Sequence, residues 1–158
     1  MRPEIGITDE NRENVFRILN RVLADEYVLF TKTYKYHWNV RGRRFHDLHE
    51  FFEQQYNSLF KSIDATAERM RFLGKMPGGS LQEFLQNATL KEDVTLELEA
   101  QAMIKNLLSD HESIIENLRH DLRRCDQEYN DMGTSDFLTG KMQQHEEMAW
   151  MLRSSIDD

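Results

Sequence analysis

The chain has 158 residues and a formal net charge of −8, with 39% of it hydrophobic and 30% charged. That is enough for one domain with its own core, it contains no apolar run of membrane length, and its single cysteine, Cys125, excludes an internal disulfide framework and suits a reducing cytoplasm. Acidic balance also removes nucleic acid as the default partner, because phosphate affinity comes from clustered Lys and Arg, whereas a negative field attracts cations.

Only seven Gly and two Pro interrupt the sequence, which favours an all-α chain over a β-sandwich. Residues 1–8 read as a short tail, and "MRPEIGITDENREN" has no apolar signal region, so export by that route is not expected. A first helix is predicted from Asp9 to His37, with Val15, Phe16, Leu19, Val22, Leu23, Tyr27 and Phe30 at helical spacing after the polar "TDEN" start. "NVRGRR" breaks it, with Gly42 as the turn residue. A second helix runs from Phe45 to Leu73 on a stripe of Phe45, Leu48, Phe52, Tyr56, Leu59, Ile63, Met70 and Leu73, and stops at Gly74 and "MPGG". Ser80 and Glu83 have capping-box spacing at the head of a short helix, "SLQEFLQNA". A third long helix is predicted from Val94 to Tyr129, "NDMGT" makes a turn, and a fourth follows from Ser135 to Ile156. Together these give a single domain over residues 1–158, a four-helix bundle whose long second connection, Lys75 to Asp93, carries a small extra helix and crosses the length of the bundle.

One flank of the second helix carries chemistry. His49 and Glu53 are four apart and therefore neighbours, as are Asp64 and Glu68. All four lie on a line roughly 115° around the helix from the apolar stripe, and the two pairs are about 22 Å apart along the axis. One ion with bonds near 2 Å cannot touch both pairs of the same chain. The positions are, however, palindromic about the Ser58–Leu59 bond. Two copies packed antiparallel about a two-fold axis there would bring 49 opposite 68 and 53 opposite 64, twice per dimer, as an isologous contact requires. Tyr56, Phe60 and Ala67 lie between the pairs, and His37, at the end of the first helix, can reach the His49 end. The predicted site is His37, His49 and Glu53 from one subunit with Asp64 and Glu68 from its mate, a donor set that suits a first-row metal such as iron. Judged by spacing alone, any one of these residues reads as solvated surface; the metal reading rests on the two pairs together, their mutual symmetry and the nearby His37.

The same residues carry a family resemblance. "HWNVRG" (residues 37–42), "LHEFFE" (48–53) and "DATAERMRFLG" (64–74), together with "SLQEFLQNA", "DFLTG" and "HEEMAWML", resemble the signature of the Dps miniferritins, over nearly the whole chain. The resemblance implies a ferritin-like bundle and a hollow dodecamer built from two-fold dimers. It further implies a ferroxidase that binds two Fe per intersubunit site through His37, His49, Glu53, Asp64 and Glu68. Fe²⁺ would be oxidised by hydrogen peroxide (or oxygen), and ferric mineral stored to protect the cell from oxidative damage. Position 53 is commonly Asp in that family and is Glu here. The family also lines three-fold pores with aspartates from the turn before the last helix, which makes Asp126, Asp131 and Asp136 the iron-entry candidates. Trp38, beside His37, is a candidate electron donor to a stray oxidant.

No histidine has Glu three residues before it, so a di-iron centre inside one subunit's core is not expected. His46, His111, His120 and His145 are assigned no functional role, and Cys125 reads as a packed thiol. DNA binding is expected to be weak or absent: the tail carries Arg2 and Arg12 against Glu4, Asp9, Glu10 and Glu13, and "SSIDD" closes the chain. The setting this implies is the cytoplasm, on or off the nucleoid. A purely structural helical oligomer with a vestigial iron site is the remaining alternative.

Overall fold

A computed structural model describes residues 3–156; Arg2, Asp157 and Asp158 of the terminal charge count lie outside the described residues. Five helices follow in order: α1 (Asp9–Asn39), α2 (Phe45–Phe72), α3 (Leu81–Asn87), α4 (Ala100–Gln127) and α5 (Met132–Arg153), and no strand occurs among the described residues. The helix α1 packs against α2 as one hairpin and α4 against α5 as the other; α1 then faces α4, and α2 faces α5.

Local chemistry sets each boundary. Thr8 caps α1 by accepting from the Asn11 N–H, with Asp9 and Glu10 in the first turn where the helix dipole favours acid. Gly42, at φ 109°, turns the chain into α2, and Gly74, at φ 76°, leads it out. A Cβ at Gly74 would meet the Pro3 ring at 2.6 Å, so that position is closed to side chains twice over. Ser80 and Glu83 form the expected capping box, and Phe84 of α3 stacks on Tyr27 of α1 at 4.1 Å.

The third long helix starts at Ala100, six residues later than the Val94 expected from periodicity. The chain is anchored to α1 just before this segment instead, at Asp93. Tyr36 donates its hydroxyl to Asp93, which also accepts from the Thr95 N–H, while Val94 and Leu96 point into solvent. Further back on the same connection, the buried Asp25 carboxylate accepts from the Thr89 and Leu90 backbone N–H groups at 2.6 and 2.9 Å. The last helix conversely starts earlier than Ser135, because Asp131 caps it and Asn130, at φ 54°, makes the turn.

The α2 core stripe also differs from the expected one. The buried positions are Leu48, Phe52, Gln55, Leu59, Ser62, Thr66, Met70 and Leu73, whereas Tyr56 and Ile63 are half-buried and Phe45 is exposed. Hydrophobicity alone selects 56 and 63 over their neighbours 55 and 62, but Gln55 and Ser62 face inward because polar partners await them there. The remaining core is apolar, with Leu19, Leu29, Tyr36, Phe52, Leu59, Ile104 and Leu107 fully enclosed. No helix among the described residues is long and apolar enough to cross a membrane.

Candidate metal centre

The corner between α1 and α2 brings His37 and His49 face to face, ring centroids 3.7 Å apart and planes 19° from parallel. Each imidazole binds the other residue's backbone: His37 Nδ1 lies 2.8 Å from the His49 carbonyl oxygen, and His49 Nδ1 lies 2.8 Å from the His37 carbonyl oxygen. A carbonyl can only accept, so both Nδ1 atoms carry the proton. In the neutral ring Nε2 is then the bare donor atom, which is the tautomer a metal ion requires.

Further aromatic rings gather around the pair. The Tyr34 ring lies 6.4 Å from that of His37 with its plane 14° from parallel, and the Phe45 ring 5.2 Å from that of His49 at 28°. Tyr56 packs edge-on against His37 at 5.2 Å, and its hydroxyl lies 3.4 Å from Glu53 Oε1. Burial, and then the negative charge of Glu53, push the Tyr56 phenol upward, so it remains a proton donor to that carboxylate. Trp38 is 61% exposed and stands 4.3 Å from Tyr34. Position 37 is buried and position 49 half-buried, while Glu53 is exposed. Sequence reasoning did not single out Tyr34, although its place three residues before His37 puts it on the same helix face.

The other predicted ligands lie elsewhere. Asp64 and Glu68 sit further along the same flank of α2, exposed and unpaired among the described residues. Among the described residues no three His, Cys, Asp or Glu side chains of one chain converge on a metal position. The flank between the pairs is apolar and uncovered, with Phe60 63% exposed, the character of a surface that meets another protein.

Of the pore candidates, Asp126 and Asp136 are exposed, but Asp131 is 3% exposed. Its carboxylate accepts from the Thr134 N–H at 2.8 Å and the Thr134 hydroxyl at 2.6 Å, and Arg69 donates to it at 3.2 Å. It is spent on capping α5. Cys125 is enclosed, and burial, reinforced by Asp131 and Asp121, pushes its thiol up to about 12, which makes it an inert packing group.

A ferritin-like domain model matches residues 17–158. The chain is 34% identical over 145 residues to DNA protection during starvation protein 2 of Bacillus anthracis, covering 92% of this chain and 98% of that one. The chain belongs to the Dps branch of the ferritin-like family. This Dps chain is also 52% identical over 156 residues to an uncharacterized low temperature-induced protein of Nostoc sp., covering 99% of this chain and 87% of the relative. Among solved structures, it superposes on the Dps protein of Vibrio cholerae O1 with a TM-score of 0.90 and 29% identity, over 98% of this chain and 96% of that one; that structure is described as a member of a broad superfamily of ferritin-like diiron-carboxylate proteins. The ferritin-like bundle with an extra short helix in its long connection is thus the fold of this Dps chain.

Proposed function

We propose that this Dps chain oxidises and stores iron at sites shared between two subunits, His37, His49 and Glu53 of one with Asp64 and Glu68 of its two-fold mate, and that twelve subunits form the storage shell. The observation that carries the reading is the reciprocal pinning of the two imidazoles. It spends both Nδ1 protons on backbone carbonyls and leaves both Nε2 atoms for ligation, while among the described residues no third His, Cys, Asp or Glu of the same chain converges with them. Neutral imidazoles and carboxylates suit a first-row ion, and carboxylate charge favours the ferric over the ferrous state. Peroxide takes up two electrons and two protons to become two waters, and each Fe²⁺ supplies one electron. Two ferrous ions at one site therefore satisfy one peroxide without releasing hydroxyl radical. Trp38, in contact with Tyr34 and open to solvent, supplies an electron when only one iron is present. Asp126 and Asp136 serve the entry path, and Asp131 holds it in shape as the α5 cap.

Complementation tests the sharing directly. A His37→Asn, His49→Asn chain and an Asp64→Asn, Glu68→Gln chain are each expected to be inactive. Co-refolded in equal amounts, they place both lesions in one site and none in the other of every mixed dimer. Random pairing then restores about one quarter of the wild-type sites. Recovery of no activity in a verified mixed assembly would show that the ligands come from one chain.

Association with DNA is expected to be weak. Much of the basic surface is already paired, Arg119 with Glu146, Arg124 with Glu128 and Arg153 with Glu112. A band shift by the purified shell at about 150 mM salt would overturn that expectation.

A further inference from the structure

The four long helices meet at one polar layer that the interface site does not use. Glu26 of α1 is fully enclosed, and Lys141 of α5, 4% exposed, reaches it. The Lys141 nitrogen lies 3.0 and 3.2 Å from the two Glu26 oxygens, 2.8 Å from the Ser62 carbonyl oxygen and 2.5 Å from Ser62 Oγ. An ammonium has three N–H bonds, yet four oxygens surround this one. The shell is shaped for a point charge and not for three directed hydrogen bonds. Ser62 and Thr66 donate their hydroxyls to Glu26 at 2.6 and 3.0 Å, and His145 Nε2 stands 3.3 Å from the same carboxylate. His145 Nδ1 is 2.9 Å from His111 Nδ1, and His111 Nε2, in the core, has no partner.

The charges in this layer are settled by their neighbours. Burial alone would raise the Glu26 carboxyl, but Lys141 and the hydrogen bonds of His145 and Ser62 outweigh it and hold it at about 2. Burial draws Lys141 downward while Glu26 opposes it, and burial next to His145 keeps His111 neutral. The layer is also within reach of the surface. A groove between α2 and α5, lined by Lys61, Ser62, Ala65, Asp136, Gly140 and Lys141, opens onto it, and nothing lies within 4 Å of where a Gly140 side chain would begin.

A carboxylate, an imidazole and hydroxyls projecting from facing helices are the materials with which helix bundles hold metals in their cores. We propose that Lys141 is a resident cation filling a metal-sized pocket inside the single chain, built by Glu26, Ser62 and His145, and that it thereby confines metal binding to the subunit interface. The pocket stands on its own geometry; only the final clause rests on the interface reading. No Glu-x-x-His pair marks this pocket in the sequence.

The test uses Co²⁺ alone on the assembled protein, in a His37→Asn, His49→Asn background that takes the interface site out of the measurement, so the two readings fail separately. With Lys141→Ala added, equilibrium dialysis is expected to find one further Co²⁺ per chain, with visible absorption of an ordered site and a melting temperature raised by the metal. The background itself should show none of the three. A helical Lys141→Ala variant that takes up no more Co²⁺ than the background overturns the proposal. If that variant folds only when refolded with Co²⁺ or methylammonium, the pocket's need for a cation is shown directly; failure to fold with either overturns it. Adding Glu26→Gln to Lys141→Ala should abolish the extra uptake, and retention would remove Glu26 from the pocket and the proposal with it.

Discussion

Replacing His37 and His49 together by Asn is expected to lower peroxide-driven oxidation of Fe²⁺ by about 100-fold or more, while leaving the helical content and assembly unchanged. Even the loss of a supporting hydrogen-bond partner at a metal site costs about 10- to 100-fold, and this variant removes two direct ligands. The choice of Asn separates ligation from architecture. Its side-chain amide stands where imidazole Nδ1 stood and can still donate to the opposite carbonyl, so the α1–α2 corner keeps the bonds now made at 2.8 Å. It has nothing in the place of Nε2. Stopped-flow absorbance after anaerobic loading with Fe²⁺ reads the oxidation, and circular dichroism reads the fold. Wild-type rates in a correctly folded double variant would remove these imidazoles from the iron chemistry.

The second large effect is on stability. Glu26→Gln leaves the Lys141 ammonium enclosed beside a neutral amide, and breaking a buried pair from one side costs about 3–5 kcal/mol. Exchanging both partners, as Glu26→Gln with Lys141→Met, removes the stranded charge and should recover most of that loss. The acid limb carries a signature of its own. The Glu26 carboxyl lies at about 2 in the folded chain against an ordinary 4.5. Its stabilisation is therefore complete above pH 4.5 and is lost as pH falls from there toward 2. Denaturant midpoints across that window should fall more steeply for the wild type than for the double variant. Equal slopes would mean that Glu26 contributes no linked stability.

The sequence makes the bundle legible where spacing and caps act together. The turn at Gly42, the stop at Gly74 and the Ser80–Glu83 box are all where composition places them, since each rests on local backbone chemistry. The six-residue error at the head of α4 has a tertiary cause. Asp93 is pulled onto α1 by Tyr36, from 57 positions earlier in the chain, and no local pattern reports that. Asp131 has a role that composition hides for the opposite reason. An aspartate in an acidic turn is indistinguishable by composition from one that caps a helix, until its Thr134 and Arg69 partners are in place. At the candidate metal centre, the spacing that separates the His49–Glu53 pair from the Asp64–Glu68 pair along α2 is readable from the sequence alone, whereas the tautomer of the two imidazoles is not. It depends on carbonyls twelve residues away in each direction.

The polar layer was the largest omission, and a signal for it existed. On α5 the buried residues Leu138, Lys141, His145, Met148 and Leu152 recur at steps of three and four, so a lysine and a histidine occupy positions of an apolar stripe. His111 does the same among Met103, Ile104, Leu107, Ile114 and Leu118 on α4. Reading charged residues as surface by default conceals them, although their register is that of the core.

That layer has a mechanical consequence for how the two halves of the molecule sit together. Glu26, Ser62 and Thr66 belong to the first hairpin, His111, Lys141 and His145 to the second, and the chain joins the two only through the long strap. Leucine against leucine tolerates sliding, because one apolar side chain replaces another at little cost. A slip of one helical turn, about 5.4 Å, would instead strand an ammonium and a carboxylate among hydrocarbon. The buried charges thus act as an alignment key, admitting a single axial setting of one hairpin against the other.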